Sequence, residues 1–189
     1  MQTVKFIHME DGSREDYALL ERLEAEYNAE LPARILDGLR RLENSFSGYR
    51  VDRLVHSLQG ATRAHRAGES EEYVIAVLLH DIGDDLAPYS HSELAAAILR
   101  PFVSEKLHWI VRHHGLFQMY YYAHHTGGDR HARDVFKDHP WYQEAIDFCH
   151  RYDQNCFDPD YDHEPLEFFE PILRRVLARP RFEQAAAAG

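Results

Sequence analysis

The sequence of 189 residues has little cysteine, no long apolar run and fewer basic than acidic residues. Its two cysteines, Cys149 and Cys156, have a spacing that matches neither a zinc knuckle nor a redox motif. Free thiols in a reducing compartment are the simpler interpretation, so we expect a cytoplasmic protein. The longest apolar runs, such as VIAVLL at residues 74–79, are far shorter than the ~20 residues of a membrane span, and we see no signal-peptide pattern.

The charge balance excludes two classes of partner. Lys and Arg number 21 against 32 Asp and Glu, which gives a formal net charge of −11. Nucleic acids and anionic membranes bind clustered basic residues, so we expect neither as a partner. The sequence leaves a homodimer open, and its hydrophobic fraction of 44% is typical of a globular protein with one sizeable core.

Helix start and stop signals recur along nearly the whole sequence and predict an all-α protein. Only VKFIHM near the N-terminus alternates with period two, which favours an extended arm there. Gly115 is predicted to end the helix that contains SEKLHWIVRHH, because glycine is common directly after a helix. The residues predicted to cap or open helices are Ser13, Ser70, Ser104, Pro140 and Pro165.

We predict one domain over residues 1–189, with N-terminal helices over 1–44, a core over about 45–155, a C-terminal helix over 156–180 and a tail over 181–189. The polar loop 123–139 is long for a compact domain. Two hypotheses follow for this loop. It is either a lid that closes over a site through His124, His125 and Asp129, or a mobile surface loop.

Histidine is the residue type that stands out, with 14 in the sequence. Helical spacing predicts which of them point inward: His114 completes an apolar stripe, and His91 begins another. Asp153 continues a third stripe, while His80 and Asp81 end an apolar helix and are expected to be buried. An isolated buried carboxylate is costly, so these inward acids and histidines predict a shared metal centre.

Each of these residues also has a simpler interpretation. A single inward histidine is more often a hydrogen-bonded core residue than a metal ligand, and Asp153 alone can be a buried acid with hydrogen-bonding partners. The coincidence of several inward ligand types favours the metal centre. His56 lies nearly opposite the apolar stripe of its own helix, so spacing alone does not select it.

His56, the pair His80-Asp81 and Asp153 follow the H…HD…D order of the HD-domain superfamily of all-helical metal enzymes, which the sequence resembles over about residues 45–155. This resemblance implies a single-domain helical bundle with a dinuclear metal site in its core. His80 and Asp81 are the candidate catalytic residues. The implied metal ligands, with Asp81 as the bridge, are His56, His80, Asp81, His91, His114 and Asp153.

The stretch HSLQGA at residues 56–61 is similar to the first-ligand motif of the mixed-valent di-iron oxygenases within this superfamily. In that branch a glutamine follows the first histidine by three residues, as Gln59 does here. The resemblance implies two iron ions in the Fe(II)/Fe(III) state, with manganese as the alternative. It implies O2 and a small polar hydroxy or amino compound as substrates, with abstraction from a C–H bond and oxidative cleavage of a C–C or C–P bond.

Some positions depart from that branch and bear on the substrate. Asp84 stands where the related oxygenases have a basic residue, and Gln118 stands where a lysine is found. Phe46 and Tyr49 fall where a tyrosine and a glutamate serve the substrate. We therefore predict Asp84, Gln59, Gln118 and Tyr49 as substrate-binding residues, for a compound unlike those of the relatives.

A metal-dependent phosphohydrolase is the alternative function. Two metals held by the same six ligands can lower the pKa of a bridging water, which then attacks a phosphoester. Many members of the superfamily are hydrolases of this kind, which favours the alternative. The shortage of Lys and Arg near the motifs disfavours it, because such residues bind phosphate.

Overall fold

The computed structural model describes residues 2–178 and 180, and within these residues it contains helices and no strand. The all-α prediction is therefore confirmed. Short 3-10 helices lie at Met9–Asp11, Leu42–Asn44, Ala123–His125 and Ala132–Phe136. The α-helices are α1 (Arg14–Ala29), α2 (Leu31–Arg41), α3 (Arg53–Arg66), α4 (Glu71–Leu79), α5 (His91–Leu99), α6 (Glu105–Tyr122), α7 (Tyr142–Tyr152) and α8 (Leu166–Leu177).

The predicted serine caps are confirmed. The hydroxyl oxygens of Ser13, Ser70 and Ser104 each accept a hydrogen bond from a backbone N–H in the first turn of α1, α4 and α6. Asp16 completes a capping box, because its carboxylate accepts from the backbone N–H of Ser13 at 3.1 Å. These caps fix the starts of the helices, and hence the phase of every side chain that follows.

The predicted helix end at Gly115 is wrong, because α6 continues for two further turns to Tyr122. A Cβ at Gly115 would lie 3.0 Å from the hydroxyl oxygen of Ser92 and 3.7 Å from the ring of His91. The glycine thus lets α5 approach α6 closely, and this packing offsets the ~1 kcal/mol that glycine costs inside a helix. As a consequence, the aromatic stretch 117–122 is helical rather than part of a loop.

The central element is α4, whose residues 74–79 are all buried. A helix that is apolar all round is covered on every side, and α4 contacts α3, α5, α6 and α8. It ends at Leu79, so the next two residues, His80 and Asp81, enter the interior at 0% and 3% exposure. By contrast, α1 lies at the edge of the bundle. Asp16 is its one buried residue, and its main contacts are with α2.

Other predictions of organisation have mixed outcomes. The C-terminal helix is shorter than predicted, since it covers Leu166–Leu177, and the predicted tail 181–189 lies outside the described residues. The arm VKFIHM forms no strand. Among the described residues, no helix combines the length and the apolar character that a membrane crossing requires. The single-domain organisation stays a prediction.

The contact between α3 and α7 at Gly60 generates a test. A Cβ at Gly60 would overlap the carbonyl oxygen of Tyr152 and lie 2.9 Å from Cγ1 of Val77. We expect Gly60→Ala to push α3 away from α7 and to lower the free energy of unfolding in urea by about 1–3 kcal/mol.

A matched control is Gly38→Ala, also in a helix. Its added Cβ would meet only the flexible ends of side chains, Ile82 at 3.3 Å and Arg41 at 3.7 Å, so the loss should stay below about 1 kcal/mol. Equal losses in the two variants would contradict the close approach of α3 and α7.

Candidate metal centre

Five elements each bring ligand-type side chains to one place. His56 lies on the first turn of α3, His91 begins α5, and His114 lies in the middle of α6. His80 and Asp81 directly follow α4, and Asp153 is the C-cap of α7. All of these residues except His91 are at most 3% exposed. The fold therefore brings together the six residues predicted as ligands, including the one that spacing alone did not select.

The Asp81 carboxylate divides the cluster into two halves. Its Oδ2 lies 3.3 Å from Nε2 of His56 and 3.2 Å from Nε2 of His80. Its Oδ1 lies 3.2 Å from Nε2 of His114 and 3.5 Å from Nε2 of His91. Asp153 belongs to the first half, because its Oδ1 lies 3.4 Å from Nε2 of His56. One carboxylate thus faces two separate pairs of imidazoles.

Backbone carbonyls fix the orientation of three rings. Nδ1 of His56 lies 3.1 Å from the carbonyl oxygen of Cys156. Nδ1 of His80 and of His114 lie 2.6 Å from the carbonyl oxygens of residues 77 and 111. A carbonyl oxygen only accepts, so each Nδ1 carries a proton and Nε2 is the ring atom that faces the centre. This is the arrangement of metal-binding histidines.

The electrostatics of the first half favour a bound cation. Burial alone would lower the pKa of His80, but Asp81 and Asp153 hold it well above its ordinary value. Burial alone would raise the pKa of Asp81, but His80 and Arg53 hold it well below its usual range. Nε2 of His56 and Nε2 of His80 lie only 3.2 Å apart. Two neutral imidazoles cannot hydrogen-bond through two lone pairs, so a proton or a metal ion must lie between them.

The donor set fits a metal. Oδ2 of Asp153 is buried and has no hydrogen-bond partner among the described residues, although a buried carboxylate oxygen normally has one. Imidazole nitrogens and carboxylate oxygens together suit iron, manganese or zinc. Three triads have ligand atoms within 4.8 Å of one another: His56, His80 and Asp81; His80, His114 and Asp153; and Asp81, His91 and His114.

Arg53 is the residue that the sequence analysis missed. Its Nη2 donates to Oδ2 of Asp81 at 2.6 Å, and its Nε donates to Oδ2 of Asp84 at 2.7 Å. The side chain is only 13% exposed. The available signal was its position three residues before His56, on the same face of α3. The expected shortage of basic groups at the site is therefore wrong at this position.

Asp84, predicted to bind substrate, has both carboxylate oxygens engaged. Oδ2 accepts from Arg53, and Oδ1 lies 3.5 Å from Nδ1 of His91. A carboxylate behind a metal-binding histidine fixes its ring and raises its basicity. These contacts favour a positioning role for Asp84, while its contact with substrate stays a prediction.

Gln59 is buried and makes its contacts away from the cluster. Its Nε2 donates to the carbonyl oxygen of Asp158 at 2.6 Å, and its Oε1 accepts from the N–H of Asp158 at 3.3 Å. The amide thereby holds the segment in which Cys156 accepts from His56 and in which the Phe157 ring stacks on His56 at 4.5 Å. These contacts favour a role for Gln59 in positioning His56, while its contact with substrate stays a prediction.

Gln118 contacts a predicted ligand. Its Nε2 donates to Oδ1 of Asp153 at 2.9 Å, while its Oε1 is buried without a partner among the described residues. Because it lies one turn after His114, it extends the inward face of α6 towards α7. A role in holding Asp153 follows directly from this contact, and its contact with substrate stays a prediction.

Tyr49 is the predicted substrate residue that remains accessible. Its side chain is about half exposed, and its ring stacks on Phe157 at 4.5 Å. The ring of Phe46 lies against Tyr49 at 6.1 Å, and the guanidinium carbon of Arg53 lies 5.7 Å from the Tyr49 ring centre. A row of aromatic rings thus leads from His56 to the surface.

The loop residues proposed as a lid lie elsewhere. His124, His125 and Asp129 are exposed, and no contact recorded within the described residues joins them to the cluster. The loop instead packs on the outer face of α6, where Phe136 and His139 contact the ring of Trp109. The lid hypothesis stays a prediction.

Comparisons with known proteins agree with this geometry. The HD domain family model matches residues 53–152, a range that begins at Arg53 and ends one residue before Asp153. A curated relative from Leisingera caerulea is 35% identical over 86 residues, which cover 40% of this chain and 44% of the relative. That relative is a 1-hydroxy-2-(trimethylamino)ethylphosphonate dioxygenase (glycine-betaine-forming). The match thus spans less than half of the relative's length.

The contacts of Arg53 generate a second test. We expect Arg53→Met to lower the free energy of unfolding of the metal-free protein by about 3–5 kcal/mol, because the buried Asp81 loses its cation partner. A bound divalent metal would neutralise Asp81, so the loss should shrink when the protein is unfolded in urea with metal instead of with a chelator.

The matched control for this test is Arg41→Met. Its ion pair with Asp85 is largely exposed, so its loss should stay below about 1 kcal/mol. If the loss in Arg53→Met were as small, or did not respond to metal, the partnership of Arg53 and Asp81 would be refuted.

Proposed function

The chain belongs to the HD domain family, and we propose that within this family of metal enzymes it is a di-iron oxygenase that acts on a small hydroxy or amino compound with O2. The observation that carries the proposal is the single carboxylate of Asp81 with one oxygen towards each of two histidine pairs. That geometry suits a bridging ligand between two metals. The relative's dioxygenase activity supports the oxygenase branch.

We assign the ligands by halves. His56, His80 and Asp153 would hold the first metal, and His91 and His114 the second, with Asp81 bridging both. The second half has fewer protein ligands, and its His91 is 26% exposed, so substrate has access there. Bound in these positions, an Fe(II)/Fe(III) pair supplies chelation of a substrate hydroxyl or amine and activation of O2 against the adjacent C–H bond.

The chain's own residues provide the environment for this chemistry. Residues 74–79 of α4 exclude water behind the centre. His80 and Asp81, the proposed catalytic residues, would hold the metals at the position where the substrate reacts. Arg53 and Asp84 fix Asp81 and His91, so the bridge and the substrate-side ligand keep one orientation.

The substrate class is proposed from the accessible residues. Tyr49, whose side chain is about half exposed, presents an aromatic face beside the centre, and such faces bind quaternary ammonium groups. Arg53 offers a phosphonate or carboxylate the N–H groups that its bonds to Asp84 and Asp81 leave unused. A hydroxy compound with a cationic and an anionic end fits both, as does the compound named in the relative's activity. Oxidative cleavage of its C–P or C–C bond would then follow.

A metal-dependent phosphohydrolase is the second candidate, and one observation favours it. Arg53 lies within hydrogen-bond distance of Asp81, where a guanidinium can bind a phosphate oxygen beside two metals. In this case the metals would hold the phosphoester and lower the pKa of a bridging water.

One experiment separates the two functions. The protein is loaded with iron without oxygen, partly oxidised and measured by electron paramagnetic resonance, and oxygen uptake is followed with 1-hydroxy-2-(trimethylamino)ethylphosphonate and simpler amino alcohols. We expect a mixed-valent di-iron signal and substrate-dependent oxygen uptake. Phosphodiester hydrolysis with Mn(II) is assayed in parallel. Brisk hydrolysis without a mixed-valent signal would refute the oxygenase.

Metal stoichiometry tests the ligand assignment. We expect Asp81→Ala to lose both metals, because it removes the bridge, and Asp153→Ala to lose chiefly the metal of the first half. The measurement is iron per chain by elemental analysis after gel filtration.

Asp147→Ala serves as the control on α7, because Asp147 is exposed and bonded only to Gln143 among the described residues. It should keep both metals. If Asp81→Ala kept both metals, the bridging role of Asp81 would be refuted.

A further inference from the structure

A groove of about 410 Å³ lies on the outer side of α6, away from the metal centre. It forms where the end of α5, the middle of α6 and the start of α7 meet. His108 and Arg112 are one turn apart on α6, and His114 points to the other side of the same helix. The residues that line the groove are Arg100, Val103, Glu105, His108, Trp109, Arg112 and Trp141.

One aromatic wall makes the groove suitable for a flat ring. The sequence has two tryptophans, and both Trp109 and Trp141 line this groove. Their ring centres are 6.1 Å apart with planes at 64°, and His139 stacks on Trp109 at 3.9 Å. His113 also lies over the Trp109 ring, at 4.5 Å, so the faces of Trp109 are already covered and Trp141 is the ring that can stack on a planar group. The contact with Trp109 holds Trp141 before any ligand arrives, which lowers the entropy cost of stacking.

The charge of the groove is opposite to that of the whole chain. Arg100 and Arg112 flank His108, and after burial itself their positive charges are the next causes that lower the pKa of His108. Arg100 has no ion pair within the described residues. Arg112 has only Glu93, at 3.6 Å, with both side chains more than half exposed. On a protein with a net charge of −11, two such guanidiniums on one groove offer a local anion site.

One carboxylate completes the lining. Glu105 is exposed at the N-terminal end of α6, close enough to His108 to raise its pKa in part. A carboxylate next to arginines does not suit a second anionic group, but it accepts hydrogen bonds from hydroxyls. The groove therefore offers a stacking face, guanidinium donors and a hydroxyl acceptor within a volume that suits a small molecule.

We infer that this groove is a binding site for a nucleoside monophosphate, with the base against Trp141, the phosphate on Arg100 and Arg112, and the sugar hydroxyls towards Glu105. The three parts of such a ligand match the three chemistries of the groove. The site is separate from the six ligand-type residues, so it does not rest on the proposed function.

Tryptophan fluorescence tests the site directly, because all tryptophan emission comes from the groove. The protein as purified is titrated with AMP, with excitation at the red edge of the indole band so that the nucleotide absorbs little. We expect saturable quenching. We expect much weaker effects from adenosine alone and from inorganic phosphate alone, since each supplies only part of the contacts.

The decisive variant is Arg100→Ser with Arg112→Ser, which should weaken AMP binding by about tenfold or more, the usual worth of a lost charge-assisted hydrogen bond. Both residues are exposed, so folding should not suffer. The matched control is Arg22→Ser with Arg174→Ser, two exposed helix arginines outside the groove, which should bind AMP as the parent does.

Three results would overturn the inference. They are the absence of saturable quenching by AMP, equal binding of inorganic phosphate, and unchanged binding by the Arg100 and Arg112 double variant. The second of these would leave an anion site without a place for the base.

Discussion

The Asp81 carboxylate lies between two pairs of imidazoles, and its burial at 3% exposure would be costly without cations around it. The fold is arranged to supply them. An apolar helix, α4, runs through the core and ends where this carboxylate must stand, and four other helices each deliver a nitrogen or a further carboxylate to it. Arg53 adds a fixed positive charge. The helical bundle can thus be understood as a scaffold around one ionised group.

Much of this centre could be predicted from the sequence, because the apolar stripe of a helix indicates which face of that helix packs in the core. His114, His91 and Asp153 continue apolar stripes, and their helices bury these faces as predicted. His56 could not be found in this way. Residues 56–62 of α3 are all buried, because α4 covers one side and α7 with the following segment covers the other. A helix covered on two sides has no single stripe, so only the resemblance to known enzymes selected His56.

The remaining differences arise from contacts between residues far apart in the sequence. Glycine at position 115 has the local preferences of a helix end, yet it serves the approach of α5. Gln59 and Asp84, both predicted to bind substrate, have polar atoms that contact Asp158, Arg53 and His91, which the sequence did not indicate. Local propensity cannot reveal such partners, since they lie up to 99 positions away. Polar residues near a reactive centre are therefore divided between holding its ligands and meeting its substrate, and the sequence does not separate the two groups.

The acceptors that orient His56, His80 and His114 are main-chain carbonyls. Residues 77 and 111 each precede their histidine by three positions, so helix geometry alone delivers these two acceptors, whatever side chain stands there. Mutation cannot delete a carbonyl. Substitutions therefore leave the orientations of these three rings unchanged, whereas a substitution of Asp84 removes the carboxylate behind His91. Sequence change can thus alter the substrate side of the centre while the three rings on its opposite side keep their orientation.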